Sequence, residues 1–134
     1  QILEYFCKRH PNLNFSLEAE LSYDKLKELL NVASNVLVTY DTGNMTSCGF
    51  DHKKYIKQVC SRISNVHLKD RLKTGETVVP STGDTDFALI FKTLRENNYT
   101  GVYTLQTARE LTGLEKQTIT NHTEVLRSIH EECI

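Results

Sequence analysis

The chain has 134 residues, of which 39% are hydrophobic and 25% are charged, and its formal net charge is −1 at pH 7. This composition excludes a disordered chain and fits a single domain with a buried core, which we take to span residues 1–134. The nearly neutral charge argues against a nucleic-acid partner. No apolar run approaches the roughly 18 residues of a membrane span, so no membrane partner is expected.

Short strands and amphipathic helices alternate along the chain. The opening segment QILEYFCKRHP is typical of the end of a helix, as if the chain were a fragment of a larger protein. Strands are predicted over residues 14–20, 35–40, 65–69 and 101–106. Two helices are predicted over residues 22–33 and 51–63. A third is predicted to begin at a cap near Asp84 or Asp86, and the last at a capping box of Asn121 and Glu124. Residues 70–83 are predicted to form a polar loop.

The predicted elements repeat as four units of a strand followed by a helix. The helix over 51–63 is predicted to turn Ile63 inward, and the last helix to bury Val125, Leu126 and Ile129. The unbroken Val-Leu-Val run of the second strand is typical of a parallel strand covered on both faces. With 134 residues, each unit takes about 33, close to the ~31 of an eight-unit barrel. We therefore predict an α/β fold of the (β/α)8 TIM-barrel type, with this chain supplying about four βα units, a half barrel. A small complete open α/β sheet is the alternative.

Each predicted strand ends in a side chain that binds metals or moves protons: Glu18 or Glu20, Asp41, His67 and Gln106. In a barrel, the carboxyl ends of parallel strands face one rim, where active sites lie. These oxygen and nitrogen donors suit a divalent ion such as Mn²⁺, Mg²⁺, Co²⁺ or Zn²⁺. A lone Asp often caps a helix, and a lone His is often a hydrogen-bonded core residue. Four strands that end in the same way favour a functional site.

Four segments carry a resemblance to a known family: YDTGN (40–44), NVHLKDR (65–71), TGDTDFALIFKTLRENNYTG (82–101) and TLQTARE (104–110). In this order they resemble the C-terminal half of the sugar phosphate isomerase/epimerase family, which consists of xylose isomerase-like TIM barrels with one divalent metal at the rim. The resemblance runs from about residue 12 to residue 130. It implies a cytoplasmic enzyme of carbohydrate metabolism that isomerises or epimerises a sugar or sugar phosphate through an enediolate intermediate.

The resemblance also implies roles for single residues. The implied metal ligands are Glu18, Asp41, His67 and Gln106, and Glu18 is also the implied catalytic acid/base. The implied substrate contacts are Asn44, Lys69, Arg71 and Arg109. Most members have a glutamate where this chain has Gln106, and an amide oxygen can bind a metal but cannot take a proton. The resemblance therefore predicts a mechanism with Glu18 as its one carboxylate base.

Several alternatives stay open. The basic cluster Lys69, Arg71 and Lys73 either holds a substrate phosphate or forms a solvated loop. Because Gln106 cannot take up a proton and four strands cannot close a barrel, the chain is alternatively an impaired or incomplete member that acts as a binding or assembly module. An apurinic-site endonuclease is disfavoured by the single rim histidine. The open sheet edges predict a homo-oligomer or association with a missing N-terminal half.

Overall fold

The computed structural model describes residues 2–133. Its elements are α1 (Ile2–Arg9), β1 (Phe15–Glu18), α2 (Tyr23–Leu30), β2 (Val36–Asp41), α3 (Thr42–Ser47), α4 (His52–Val59), β3 (Ile63–Leu68), β4 (Asp70–Arg71), β5 (Thr77–Val78), α5 (Phe87–Glu96), β6 (Val102–Leu105) and α6 (Glu115–Glu132). A 3₁₀ turn at Cys60–Arg62 joins α4 to β3. Among the helices that the structure describes, none is both long enough and apolar enough to cross a membrane.

The strands β1, β2, β3 and β6 form one parallel sheet whose strand order follows the chain order. A doubly wound sheet reverses its order at a switch point, whereas here each strand is added beside the previous one, as in a barrel. Right-handed crossovers that all run in this direction place the helices on one face of the sheet. The four predicted βα units are confirmed, and β1 and β6 form the two edges of the described sheet.

The face of the sheet that carries the helices is apolar. Along β2, Val36, Val38 and Tyr40 are buried in one cluster with side chains of α4 and α5. Leu37 and Thr39, which alternate with them, are only half-buried. The prediction that β2 is covered on both faces is confirmed for the face under the helices, and the opposite face is half-buried in the described chain.

The opposite face of the sheet carries small polar side chains below the rim. The Ser16 hydroxyl lies 2.7 Å from the Thr39 hydroxyl and 2.6 Å from the Ser64 hydroxyl. These contacts join β1, β2 and β3 through their side chains. The candidate functional residues lie on this same face at the carboxyl ends of the strands, directly above the hydrogen-bonded hydroxyl groups.

A β-bulge sets the register between β2 and β3. Val38 pairs with Ile63, whereas the next residue, Thr39, pairs with Asn65, so one residue of β3 has no partner. Beyond this bulge the last residue of β2 is level with His67. Without the bulge that residue would be level with the one before His67, whose side chain points to the helices, since side chains alternate between faces. The bulge thus brings His67 to the polar face.

Two predicted element boundaries in the middle of the chain are wrong. The helix predicted over 51–63 ends at Val59, and Ile63 begins β3 instead of turning inward on a helix. The predicted polar loop over 70–83 contains the antiparallel pair of β4 and β5. Of the two candidate caps for α5, Asp86 is the one used, because its Oδ1 accepts a 2.9 Å hydrogen bond from the Leu89 amide.

The last helix also differs from the prediction. It begins at Glu115, before the expected capping box of Asn121 and Glu124. Its buried residues are Thr118, His122 and Leu126, a stripe with only one apolar member. Apolar periodicity could not reveal that stripe, and Val125, which was expected inside, is 39% exposed.

Candidate metal site

Glu18, Asp41 and His67 meet at the carboxyl edge of the sheet. They come from the three neighbouring strands β1, β2 and β3, and Asp41 is paired directly with His67. One ligand atom from each residue lies within 4.8 Å of those of the other two. His67 Nδ1 is 3.2 Å from Glu18 Oε2 and 3.8 Å from Asp41 Oδ2. Of the two candidate glutamates, Glu18 joins this cluster, whereas Glu20 faces Arg71, with 3.8 Å between their charged atoms.

The three side chains are arranged like ligands of one cation. Within the described residues, Asp41 Oδ2 and His67 Nδ1 are buried atoms that make no hydrogen bond. Ligand atoms about 2.1 Å from an ion lie about 3.0 Å apart at a right angle and about 4.2 Å apart across it. The distances from His67 Nδ1, 3.2 and 3.8 Å, fall inside that range. Two carboxylates and an imidazole therefore fit a divalent ion in both geometry and donor type.

Asp41 is held by a backbone amide and an ammonium. Its Oδ1 accepts a 2.8 Å hydrogen bond from the Asn44 amide, which makes Asp41 the N-cap of α3. Its Oδ2 lies 2.9 Å from Lys69 Nζ. This contact is an ion pair, and Oδ2 makes no hydrogen bond within the described residues. The capping role and the ligand geometry coexist, since they use different oxygens.

Asn44 connects Glu18 to Lys69. Its side-chain amide donates to Glu18 Oε1 at 3.1 Å, and its carbonyl oxygen accepts from Lys69 Nζ at 3.4 Å. The side chain of Glu18 is 37% exposed, whereas that of Asp41 is 1% exposed. Glu18 is therefore the carboxylate that a molecule entering from solvent would meet, held in place by Asn44.

The chain just after Asp41 ties the ends of β2 and β3 together. Thr42 Oγ1 donates to the Lys69 carbonyl at 2.6 Å and accepts from the Lys69 amide at 2.9 Å. A Cβ on Gly43 would lie 2.9 Å from Lys69 Cγ and 3.1 Å from Arg71 Cγ. The Thr-Gly pair of the motif thus lets the stems of two basic side chains pass close to the backbone. Sequence reasoning did not assign a role to Thr42.

Asp70 anchors the segment that follows β3, which sequence reasoning also missed. It is fully buried, and its carboxylate accepts hydrogen bonds from the amides of Gly83 at 2.9 Å and Thr85 at 3.2 Å. A Cβ on Gly83 would lie 2.3 Å from Asp70 Oδ1, so this close approach requires glycine. The two neighbouring residues of HLKD therefore have different contacts: Lys69 contacts the cluster, and Asp70 binds the backbone of the next loop.

A buried polar network supports α3 from the helix side. His52 Nδ1 lies 2.6 Å from the Tyr40 hydroxyl, and His52 Nε2 lies 3.0 Å from the Thr46 hydroxyl. Burial lowers the pKa of His52 and raises the pKa of Tyr40 well above its usual value. His52 is therefore a neutral hydrogen-bonding residue that fixes the helix carrying Asn44.

The basic residues after β3 do not form one cluster. Lys69 reaches Asp41, whereas the Arg71 guanidinium donates to the Ser47 hydroxyl at 3.3 Å. Arg71 Nε is buried and is among the described atoms without a hydrogen bond. Lys73 is exposed, and its backbone amide donates to Asp84. The structure thus places two of the three side chains at the rim.

Gln106 and Arg109 follow the edge strand β6. Thr104 pairs with His67, so Gln106, two residues further on, lies on the same face of the sheet as His67. Gln106 is exposed, and its backbone amide donates to the Leu68 carbonyl at 3.0 Å. Arg109 is also exposed and lines a cavity of about 600 Å³ beside the start of α6, whose lining excludes Glu18.

Comparison with known proteins agrees with this architecture. Residues 3–129 match the family described as the xylose isomerase-like TIM barrel. An inosose dehydratase of Clostridium tetani is 31% identical, and the alignment covers 69% of this chain and 37% of that protein.

Solved structures show the same fold. A xylose isomerase domain protein from Planctomyces limnophilus matches with a TM-score of 0.71 at 22% identity, covering 90% of this chain and 45% of that one. The 3-keto-D-glucoside 4-epimerase of E. coli matches with a TM-score of 0.69 at 15% identity, covering 95% and 50%. The chain spans between 37% and 50% of the length of these relatives. It belongs to the xylose isomerase-like TIM-barrel family.

Proposed function

We propose that this chain carries the metal site of an enzyme that removes a proton beside the carbonyl of a small polyhydroxy ketone, a sugar or sugar phosphate. The observation that carries this proposal is the contact of the half-exposed Glu18 carboxylate with the buried Asp41 and the half-buried His67. These three residues would hold the Mn²⁺, Mg²⁺, Co²⁺ or Zn²⁺ ion, with Gln106 as a fourth ligand. Such an ion, when bound, supplies a Lewis acid for the substrate oxygens.

Glu18 is the proposed base. Its carboxylate takes the proton from the carbon next to the carbonyl. The electron pair of that C–H bond forms a carbon–carbon double bond, and the π pair of the carbonyl moves to its oxygen, which gives an enediolate. Glu18 then returns the proton to the former carbonyl carbon. The hydroxyl proton on the adjacent carbon's oxygen moves to the former carbonyl oxygen, so that the carbonyl shifts by one carbon and the isomer forms. Gln106 can neither accept nor deliver a proton. A one-base isomerisation therefore fits this chain better than an epimerisation that needs a base on each side of the substrate.

The name of the Clostridium tetani relative favours a second reaction of the same chemical class. An inosose is a cyclic polyhydroxy ketone, and a dehydratase removes water from it. Here too a base takes the proton beside the carbonyl, but the hydroxyl on the next carbon then leaves. Glu18 could deliver the same proton to that leaving hydroxyl, so that water departs and a carbon–carbon double bond forms. This reaction also needs a single carboxylate.

Arg71, Asn44 and Arg109 are the proposed substrate contacts. Arg71 Nε is a buried donor without a hydrogen bond within the described part of the chain, and a hydroxyl or phosphate oxygen would satisfy it. Asn44 already donates to Glu18, so a substrate oxygen bound by Glu18 would also lie beside Asn44. Arg109 is exposed in the loop after β6, and its proposed contact with substrate rests on the family resemblance alone.

The test compares Glu18→Gln with Glu20→Gln, which makes the same chemical change at an exposed glutamate outside the cluster. We expect wild type to bind about one divalent ion and to convert one member of a panel of ketoses, ketose phosphates and inososes. Glu18→Gln should lose turnover by more than about a hundredfold, while its circular dichroism spectrum stays unchanged. Glu20→Gln should stay within about twofold of wild type.

Three outcomes separate the alternatives. Equal turnover of the Glu18→Gln variant and wild type would remove Glu18 as the base. Binding of metal and sugar without any turnover would favour the binding or assembly module. Absence of metal from wild type under saturating Mn²⁺ would contradict the site itself.

The edges of the sheet support a proposal about assembly. β1 and β6 lie at the two edges, and Val102 on β6 is 64% exposed. Exposed strand edges favour pairing with another chain. We propose that a second copy, or an N-terminal half of the barrel, covers them. Light scattering should therefore give a mass above that of one chain, and a monomer at high concentration would contradict a homo-oligomer.

A further inference from the structure

Lys69 is a buried cation that contacts a proposed metal ligand. The residue is 8% exposed, and its ammonium lies 2.9 Å from Asp41 Oδ2. Its backbone is fixed by both hydrogen bonds to Thr42, and its stem packs against Gly43. The ammonium is therefore not a free surface charge, because the backbone hydrogen bonds and the packing of the stem hold Lys69 in this position.

The contact uses the oxygen that an ion would need. Asp41 Oδ1 is engaged by the Asn44 amide as a helix cap, so Oδ2 is the oxygen left for a metal. Oδ2 is also the Asp41 atom that faces His67 Nδ1, at 3.8 Å. A divalent ion placed between these two atoms would lie close to the Lys69 ammonium. Like charges at such distances repel strongly in a partly buried site.

We infer that Lys69 is an internal competitor of the metal, which keeps the site's affinity for divalent ions low and binding reversible. In this arrangement the ammonium gives up Asp41 Oδ2 when the ion binds and stays on the Asn44 carbonyl oxygen, which is already 3.4 Å away. The inference rests on the proposed metal site. It assigns to Lys69 a role toward the ion, besides the substrate contact that the family resemblance implies.

Removal of the Lys69 ammonium should raise the affinity of the site for a divalent ion. Removing the ammonium removes its repulsion of the ion, and it also leaves Asp41 without its counter-charge until an ion binds. Both effects favour binding. If Lys69 instead helped to shape the site, its removal would weaken binding, so one titration distinguishes the two roles.

The experiment measures Mn²⁺ binding by calorimetry with the full chain as wild type, Lys69→Met and Lys92→Met. Lys92 is exposed on α5 and provides the same change in net charge. We expect Lys69→Met to bind Mn²⁺ at least about tenfold more tightly than wild type, and Lys92→Met to match wild type. Thermal denaturation should show a lower midpoint for Lys69→Met without Mn²⁺ and a larger rise on adding it.

Lys69→Gln is the second variant, since it keeps a polar side chain beside Asp41 without the charge. It should also bind more tightly than wild type, and it decides the matter if Lys69→Met does not fold. Equal or weaker binding by the folded variants, while wild type binds and Asp41→Ala does not, would overturn the inference and leave the metal site standing. Binding by neither wild type nor the variants would overturn both. Calorimetric binding by the variants, with wild type binding only at saturating Mn²⁺ beyond the calorimetric range, would support the inference.

Discussion

Two hydrogen bonds between the Thr42 hydroxyl and the backbone of Lys69, here called the clamp, join the ends of β2 and β3. Replacing Thr42 by Val tests whether this clamp stabilises the site. The Thr42 side chain is fully buried, and its hydroxyl makes two hydrogen bonds to the backbone of Lys69. Valine keeps the shape and the branched Cβ, so no cavity forms. The substitution removes only the hydroxyl, and with it the partner of one buried amide and one buried carbonyl.

The expected cost follows from those two groups. A buried backbone group that loses its partner costs about 1–3 kcal/mol, and two such groups together would cost up to about 6 kcal/mol. Local adjustment that lets water or another group reach one of them reduces that sum. We therefore expect Thr42→Val to lower the free energy of unfolding by about 2–4 kcal/mol, a large fraction of the stability of an ordinary domain.

The assay is urea denaturation followed by circular dichroism, with Thr123→Val as the control. The Thr123 hydroxyl donates to the Ile119 carbonyl in a solvent-exposed hydrogen bond within α6, so its removal should change stability by no more than about 0.5 kcal/mol. Mn²⁺ binding should also weaken in Thr42→Val, because the clamp joins the residue after Asp41 to the strand of His67. Equal stabilities of the two variants would refute the clamp.

Two further changes test the surroundings of the site. Gly83→Ala would place a Cβ 2.3 Å from Asp70 Oδ1, so urea denaturation should show a loss of about 1–3 kcal/mol, and an unchanged midpoint would mean that Asp70 moves freely. For His52, burial lowers the pKa from 6.5. The unfolded chain then takes up a proton more readily than the folded one, so wild type should lose stability relative to His52→Gln as pH falls below 6.5. Parallel stability curves of the two proteins between pH 8 and pH 5 would contradict a buried neutral His52.

Much of the fold and part of the site could be predicted from the sequence. Apolar residues at helical spacing marked α2, α4 and α5, and the β-branched run marked β2. Strands that end in Asp41 and His67 had to meet at one edge, because the strands are parallel. The alternation of side chains also put Lys69 on the same face as His67, a signal in HLKD that predicts an inward ammonium but not its partner.

The parts that the sequence could not predict depend on contacts between distant residues. The segment TGNMTS has no apolar period, and it becomes α3 because Asp41 caps it and the Thr46 hydroxyl donates to the Thr42 carbonyl. The bulge beside Ser64 has no marker such as glycine in the strand. Both features set where the ligands point, so sequence patterns locate the site residues along the chain but not their geometry.

Gln106 lies farther from Glu18 across the sheet than Asp41 and His67 do. Glu18, Asp41 and His67 lie on three adjacent strands, so their spacing is fixed by the hydrogen bonds of the sheet itself. Gln106 follows β6, at the opposite edge from β1. Adjacent strands lie about 4.8 Å apart, which puts these edges about 14 Å apart along the sheet. Only the curvature of the sheet can bring Gln106 toward an ion held by the other three. The proposed role of Gln106 as a fourth ligand therefore depends on that curvature, whereas the contacts among Glu18, Asp41 and His67 do not.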